Sequence, residues 1–375
     1  MPTQNRRPER AGNRRLRRII PLVGALIVGW VMAADQAKPA VAEQRPIVTV
    51  ANGDDLAITA AINSLPDGGG IVALGTGTFS IKHPIIIDRD GIELRGQGAG
   101  TLLVLATQAN CPVVIIGSAS TPTQRIVRQV TVRELVIDGN RDEQNFECFG
   151  GHCDEQNLTA LRNNGISVRG TEDILIENIV TRRTRSGGVV LEKTCRRIRI
   201  DGLESHDNEF DGLAAYETED STFTRLYLHH NRSAGFSFDW RFNRNQITNS
   251  IASENGSQGI FMRDSIGNTF ERVKLQANGE QGIFMAETRT IPGTACRYNK
   301  FRTVTITGNK AHGIRINDAS CTVNSLEDCI VTGNGVEDIS LADFGQLQIT
   351  LAGVTREFRG VAAAATQGVD LSRHN

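Results

Sequence analysis

The sequence predicts an all-β solenoid: a single right-handed parallel β-helix with a short N-terminal capping helix. Three observations predict it. A Gly-led β-favouring motif returns about every 23 residues, an Asn stands at a fixed place before most of these glycines, and 38 Gly against 10 Pro in 375 residues implies many tight turns without a proline-rich segment. The motif reads Gly165-Ile-Ser-Val, Gly188-Val-Val-Leu, Gly212-Leu-Ala-Ala, Gly235-Phe-Ser-Phe, Gly259-Ile-Phe-Met, Gly282-Ile-Phe-Met and Gly313-Ile-Arg-Ile, with spacings of 23, 24, 23, 24, 23 and 31. Asn208, Asn231, Asn255, Asn278 and Asn309 each stand four residues before a motif glycine, and Asn334 continues the series.

A second strand precedes each bend, as in Ile174–Ile176, Ile198–Ile200, Leu226–Leu228 and Val304–Ile306. Two or three short strands per 23-residue turn suit coils stacked at the strand spacing of about 4.8 Å. Asn tolerates a left-handed bend, and stacked Asn side chains can hydrogen-bond to one another. A leucine-rich repeat would need a Leu ladder that is absent, and a propeller would need longer repeats.

The N-terminal part differs. Asp55 to Leu65 reads as a short amphipathic helix, capped by Asp54 or Asp55 and ended by Pro66 and Gly68-Gly69-Gly70. Such a helix would plug the open apolar end of a solenoid. Strands are expected at Ile71–Leu74, Phe79–Ile81, Ile85–Ile87 and Ile92–Leu94. Residues 138–164 break the rhythm as a long loop, and residues 288–299 form a shorter insertion. The solenoid domain is expected over residues 43–353, followed by a flexible tail, 354–375.

Residues 1–42 read as a signal peptide or N-terminal anchor. Seven arginines between Arg6 and Arg18 precede an apolar run from Ile19 to Ala34 and the small-residue stretch Ala40-Val41-Ala42. The run is broken by Pro21, Gly24 and Gly29, so a cleaved leader is favoured over a membrane span. A periplasmic or secreted protein is expected, with a membrane contact only if the leader stays uncleaved. Without the leader, 33 basic residues face 40 acidic ones, which with 5% aromatics argues against nucleic acid. A monomer is expected. Seven cysteines remain, an odd number. Cys148 and Cys153 are the best local disulfide pair, across a short Gly-rich loop, ahead of a metal reading that adds His152.

The stretch DDLAITAAINSLPDGGGIVALGTGTFSI, followed by IELRGQGAGTLL, resembles the opening of pectate-lyase-superfamily β-helix proteins, and the 23–24-residue repeats resemble their generic parallel β-helix repeat. The resemblance covers about residues 48–345. It implies the fold, and polysaccharide as the expected substrate class. One segment, Ser205-His206-Asp207-Asn208-Glu209-Phe210-Asp211-Gly212, is similar to bacterial mannuronan epimerases. Their signature Tyr-Gly-Phe-Asp-Pro-His falls here on Gly187-Gly188-Val189-Val190-Leu191-Glu192, and a further Asp falls on Tyr216, so none of their catalytic residues carries over.

Alternation assigns faces. With Phe236 and Phe238 inward, Arg169, Glu192, Tyr216, Asp239, Arg263, Ala286 and Asn317 point outward on successive coils, in one column. Glu192, Tyr216, Asp239 and Arg263 are the candidate catalytic residues. Arg169, Glu217, Trp240, Arg241 and Asp264 are candidate substrate-binding residues beside them, with Lys193 and Glu287 in the adjacent column. Two chemistries suit this set. Tyr216 flanked by arginines suits β-elimination on a uronate, where a cation offsets the carboxylate and a Tyr or Arg moves the proton. Glu192 and Asp239, two rungs or about 9.6 Å apart along the backbone, suit inverting hydrolysis. Lyase-type cleavage of an acidic polysaccharide is placed first, hydrolysis second. A non-catalytic envelope protein that binds glycan or a protein partner is the reading from another class. No cofactor motif is present. Calcium is possible at the turn carrying Asp207, Glu209 and Asp211. His206 and His229, 23 residues apart, are expected to stack at the Asn bend.

Overall fold

The computed structural model describes residues 45–148, 153, 161–288, 294–343, 345–351 and 353–359. The leader, residues 1–42, lies outside them. The described chain winds as a parallel β-helix, each coil pairing in register with the next. Ile166–Arg182 pairs with Val189–His206, which pairs with Leu213–Tyr216, which pairs with Phe236–Asp239, and the series continues through Ile260–Arg263 and Ile283–Ala286 to Ile314–Ile316 and Ile339–Leu341.

The motif glycines are required by this stacking. A Cβ at Gly188 would stand 2.0 Å from Ser205 Oγ, and one at Gly282 would stand 2.3 Å from the Ile306 side chain. No side chain fits where one coil passes so close to another.

The core is the apolar interior of the coils. Ile, Leu and Val fill it toward the N-terminus. Phe238 and Phe242 stack at 3.8 Å further along, and Phe270 and Phe301 at 4.7 Å. The expected Asn ladder is continuous. Asn208 donates from Nδ2 to Asn231 Oδ1 at 2.8 Å, and the pattern repeats through Asn255, Asn278, Asn309 and Asn334 at 2.9–3.0 Å. A second ladder, unforeseen in the sequence reading, runs through Asn245, Asn268, Asn299 and Asn324 at another corner of the coil. Its spacings of 23, 31 and 25 match those of the first ladder from Asn255 onward. His206 and His229 stack as expected, their ring centroids 4.9 Å apart and their planes 5° from parallel.

The capping helix spans Asp55–Ser64, and Asp54 is its N-cap, accepting from Ala57 N at 3.1 Å. Ile58, Ala61 and Ile62 seat it on the core. The strands that follow, Gly70–Leu74, Gly77–Ile81, Ile85–Ile87 and Ile92–Arg95, lie where the sequence reading placed them. The cap is larger than expected, because Ile47–Val50 adds a parallel strand to Gly70–Leu74.

One expectation gains detail and one changes. The loop from Asp138 is tied to the coil. It opens with a short 3-10 turn at Arg141–Glu143, its Asn145 and Phe146 amides donate to Asn110 Oδ1, and Cys148 and Cys153 form the expected disulfide. The expected flexible tail begins instead as a strand. Val354–Arg359 folds back antiparallel on Gln346–Leu351 through Gly353, whose φ of 81° makes the turn. Phe358 packs against the core at this end, and the rest of the strand is exposed. Residues 360–375 lie outside the described residues.

Candidate functional site

The outward column forms as the alternation requires. Arg169 pairs in register with Glu192, Tyr216 with Asp239, and Arg263 with Ala286. The residue after each of four column positions is left-handed. Lys193, Glu217, Trp240 and Asp264 have φ of 60°, 49°, 46° and 44°. The second candidate column is therefore a corner of the coil, where non-glycine residues accept an unusual backbone so that the chain can turn. At this corner Arg241 is ion-paired to Glu217 at 2.8 Å, Trp240 is half exposed, and Asp264 is buried, with burial raising its carboxyl above the usual range.

The column does not act as one group. Arg169 is buried. It donates to Ser118 O at 2.9 Å, to Thr121 Oγ1 at 2.8 Å and to Glu192 at 2.5 Å. Asp239 is closed beneath an ion pair with Arg263, and it also accepts from the Trp240 amide. Burial still raises the Asp239 carboxyl above its ordinary value despite Arg263.

Two cavities share Trp240. The first, about 310 Å³, contains Glu192, Tyr216, Glu217 and Arg169 from the candidate list. The second, about 420 Å³, contains Arg263 beside Phe261, Phe284, Thr288 and Asp318. Asp239, Arg241 and Asp264 line neither of them.

The first cavity also holds residues the sequence reading missed. Its floor is Ser167, Val190 and Ala214, the outward positions two residues before the column. The same register continues to Ser237, Phe261 and Phe284, so the floor passes from small to aromatic along the axis. Phe261 and Phe284 stack at 5.6 Å, and the Arg263 guanidinium lies 5.1 Å over the Phe261 ring. The signal was present, because these are the third residues of each Gly-led motif. One wall comes from the loop and the Asn turn: Arg162, with its guanidinium 4.4 Å over the Phe210 ring, and Asp211. Arg162 also stands 3.5 Å from Glu147, whose carboxyl burial pushes up to about 7.

Asp211 and Tyr216 set the electrostatics of this cavity. Asp211 accepts from Ala234 N at 2.9 Å, and burial raises its carboxyl above its ordinary value although Ser233 and Ser237 act to lower it. Burial and the Asp211 charge push the Tyr216 phenol upward, so it stays protonated at neutral pH. The Tyr216 and Trp240 rings meet edge-on at 6.5 Å. The arrangement offers a phenol that keeps its proton, a carboxyl shifted toward neutral pH and an arginine on one wall.

The turn acids do not converge on one point. Asp211 is bound as above, Glu209 is ion-paired to Arg232, and Asp207 meets His206 Nδ1 at 2.7 Å. Among the described residues no three His, Cys, Asp or Glu side chains are grouped to hold a metal ion. No helix among them is long and apolar enough to cross a membrane.

Comparison with known proteins gives the following. The family described as right handed beta helix region matches residues 128–294 and 239–355. Comparison with curated proteins finds no match. Among solved structures, the A-module of an Azotobacter vinelandii mannuronan C-5 epimerase, AlgE6, is 18% identical with a TM-score of 0.52, over 81% of this chain and 95% of that one. The N-terminal fragment of bacteriophage Phi29 gene product 12 is 16% identical with a TM-score of 0.56, over 78% of this chain and 55% of that one. At these identities the likeness is one of fold.

Proposed function

The chain belongs to the right-handed β-helix family, and on that scaffold we propose that it is an exported enzyme acting on an acidic polysaccharide by lyase-type cleavage. One observation carries the reading: Tyr216 and Asp211 share a cavity beside Arg162, with the phenol held protonated and the carboxyl raised. In β-elimination a base removes the proton alpha to the uronate carboxylate, the electron pair forms the new C=C bond, and the C–O bond at the β position breaks. Ionised Asp211 is assigned the base. Tyr216 is assigned the acid that protonates the leaving oxygen. Arg162 stands where it would offset charge growing on the substrate carboxylate.

This assignment moves three of the four candidate catalytic residues, Glu192, Asp239 and Arg263, out of the chemistry. Asp239 and Arg263 hold each other, and Arg263 lines the second cavity. A hydrolytic pair of Glu192 and Asp239 fits less well, because each carboxylate is already committed to an arginine. The solved mannuronan epimerase module supports an acidic substrate by fold analogy alone. A second reading, glycan binding without turnover, draws on the aromatic run Trp240, Phe261 and Phe284, which suits the apolar faces of sugar rings.

The test is a panel of acidic and neutral polysaccharides given to the purified protein, with and without calcium. Absorbance of unsaturated products and new reducing ends are read together. Both signals on a uronate polymer support the lyase. Reducing ends without unsaturation return the reading to hydrolysis. Binding without either product supports the second reading.

A further inference from the structure

Cys296 and Cys321 lie on consecutive coils. The strand Lys300–Arg302 pairs with Ser325–Glu327 at an offset of 25 residues, and Tyr298 N bonds to Thr322 O at that end of the pair. Carried four residues back from Lys300 and Ser325, the same offset sets Cys296 opposite Cys321. Adjacent coils are about 4.8 Å apart, inside the Cα separations a disulfide spans. Both side chains are fully buried and belong to the core. Each thiol perturbs the other's acidity: burial and then Cys321 raise the Cys296 pKa, and Cys296 lowers that of Cys321.

We propose that Cys296 and Cys321 form a second disulfide in an oxidising compartment, and that it fastens the downstream wall of the groove to the core. Cys296 closes the insertion that follows Thr288, and its Sγ donates to Ala286 O at 3.6 Å. Ala286, Thr288 and Asp318 line the second cavity, so a bond from Cys296 to Cys321 ties both sides of that wall together. The remaining thiols, Cys111, Cys195 and Cys329, are buried and have no other cysteine among their polar partners.

The chemistry is thiol–disulfide exchange with a small-molecule disulfide. The Cys321 thiolate attacks glutathione disulfide, forming a mixed disulfide and releasing one glutathione thiolate. The Cys296 thiolate then attacks Cys321 Sγ and releases the second. The protein dithiol loses two electrons, and two glutathione thiols carry away the electrons and protons.

The experiment refolds the full chain from denaturant in a glutathione redox buffer, so that both thiols are reachable before the core closes. Remaining thiols are alkylated and the peptides are mapped by mass spectrometry. The expected result is a Cys296–Cys321 cross-link in most molecules, beside Cys148–Cys153, and a melting temperature several degrees above that of a Cys296→Ala/Cys321→Ala variant refolded in parallel. Alkylation of both cysteines in wild-type protein that shows Cys148–Cys153 oxidised would overturn the proposal. So would pairing of either residue with another cysteine.

Discussion

Asp239 and Arg263 face each other across consecutive coils and form an ion pair, with the carboxylate side chain 5% exposed and the guanidinium 40% exposed. Arg263→Ala would leave a buried carboxylate without its cation. The native carboxyl is already raised by burial, so the folded state favours the protonated form, and stability is lost as pH rises through the folded value. Without Arg263 that value rises further. We expect a loss of about 3 kcal/mol at pH 8 and a smaller one near pH 4. Urea denaturation at the two pH values measures it.

The Asn ladder should be worth more in its interior than at its end. Asn255 donates to Leu228 O and Asn278 Oδ1, and it accepts from both the side chain and the backbone amide of Asn231. Asn255→Ala strands several buried groups at once and should cost about 3 kcal/mol. Asn334, half-buried at the last rung, should cost about half as much when changed to Ala. Equal losses at the two positions would mean that the rungs act independently of their neighbours.

The imidazole stack predicts an acid limb of stability. Burial lowers the His229 pKa, so the folded state favours the neutral ring. The stability tied to this group is present above the unfolded value of about 6.5 and is lost as pH falls through and below it. His229→Gln should flatten melting temperature against pH between about 7 and 5 relative to wild type. NMR titration of the His229 ring should give a value below that of a free histidine.

Trp240 borders both cavities and is 50% exposed, so it can be removed without opening the core. Trp240→Ala should leave the melting temperature unchanged and raise KM about tenfold, as expected for about 1.4 kcal/mol of lost ring contact. An unchanged KM would separate the aromatic run from substrate binding.

The fold was legible because its signals are local and repeated. Gly188 and Gly282 mark close approaches, Asn208 to Asn334 mark one bend per coil, and Phe236 and Phe238 mark the inward face. The second ladder through Asn245 and Asn324 carried the same spacing, masked by the stronger Gly-led pattern. The hairpin strand at Val354–Arg359 was hidden because Phe358 alone packs on the core, while its exposed neighbours read as a solvated tail. The register of the outward column was legible, since period-2 alternation fixes which side chains point outward. What alternation cannot give is which outward neighbours neutralise each other, and so Asp239 and Arg263 looked available. Nor does it show what a loop and a turn bring over the strand. Arg162 reaches the cavity from the long loop, and Asp211 from the Asn turn just before Gly212.

The account rests on Tyr216 and Asp211 working as a pair. The most direct measurement is the rate of unsaturated product formation from a uronate polymer by wild type, Tyr216→Phe and Asp211→Asn, with melting temperatures recorded alongside. The account predicts a fall in kcat of at least about 100-fold in each variant, with folding retained. Activity in the wild type should rise with pH as the raised Asp211 carboxyl ionises. Full activity in either folded variant would contradict it.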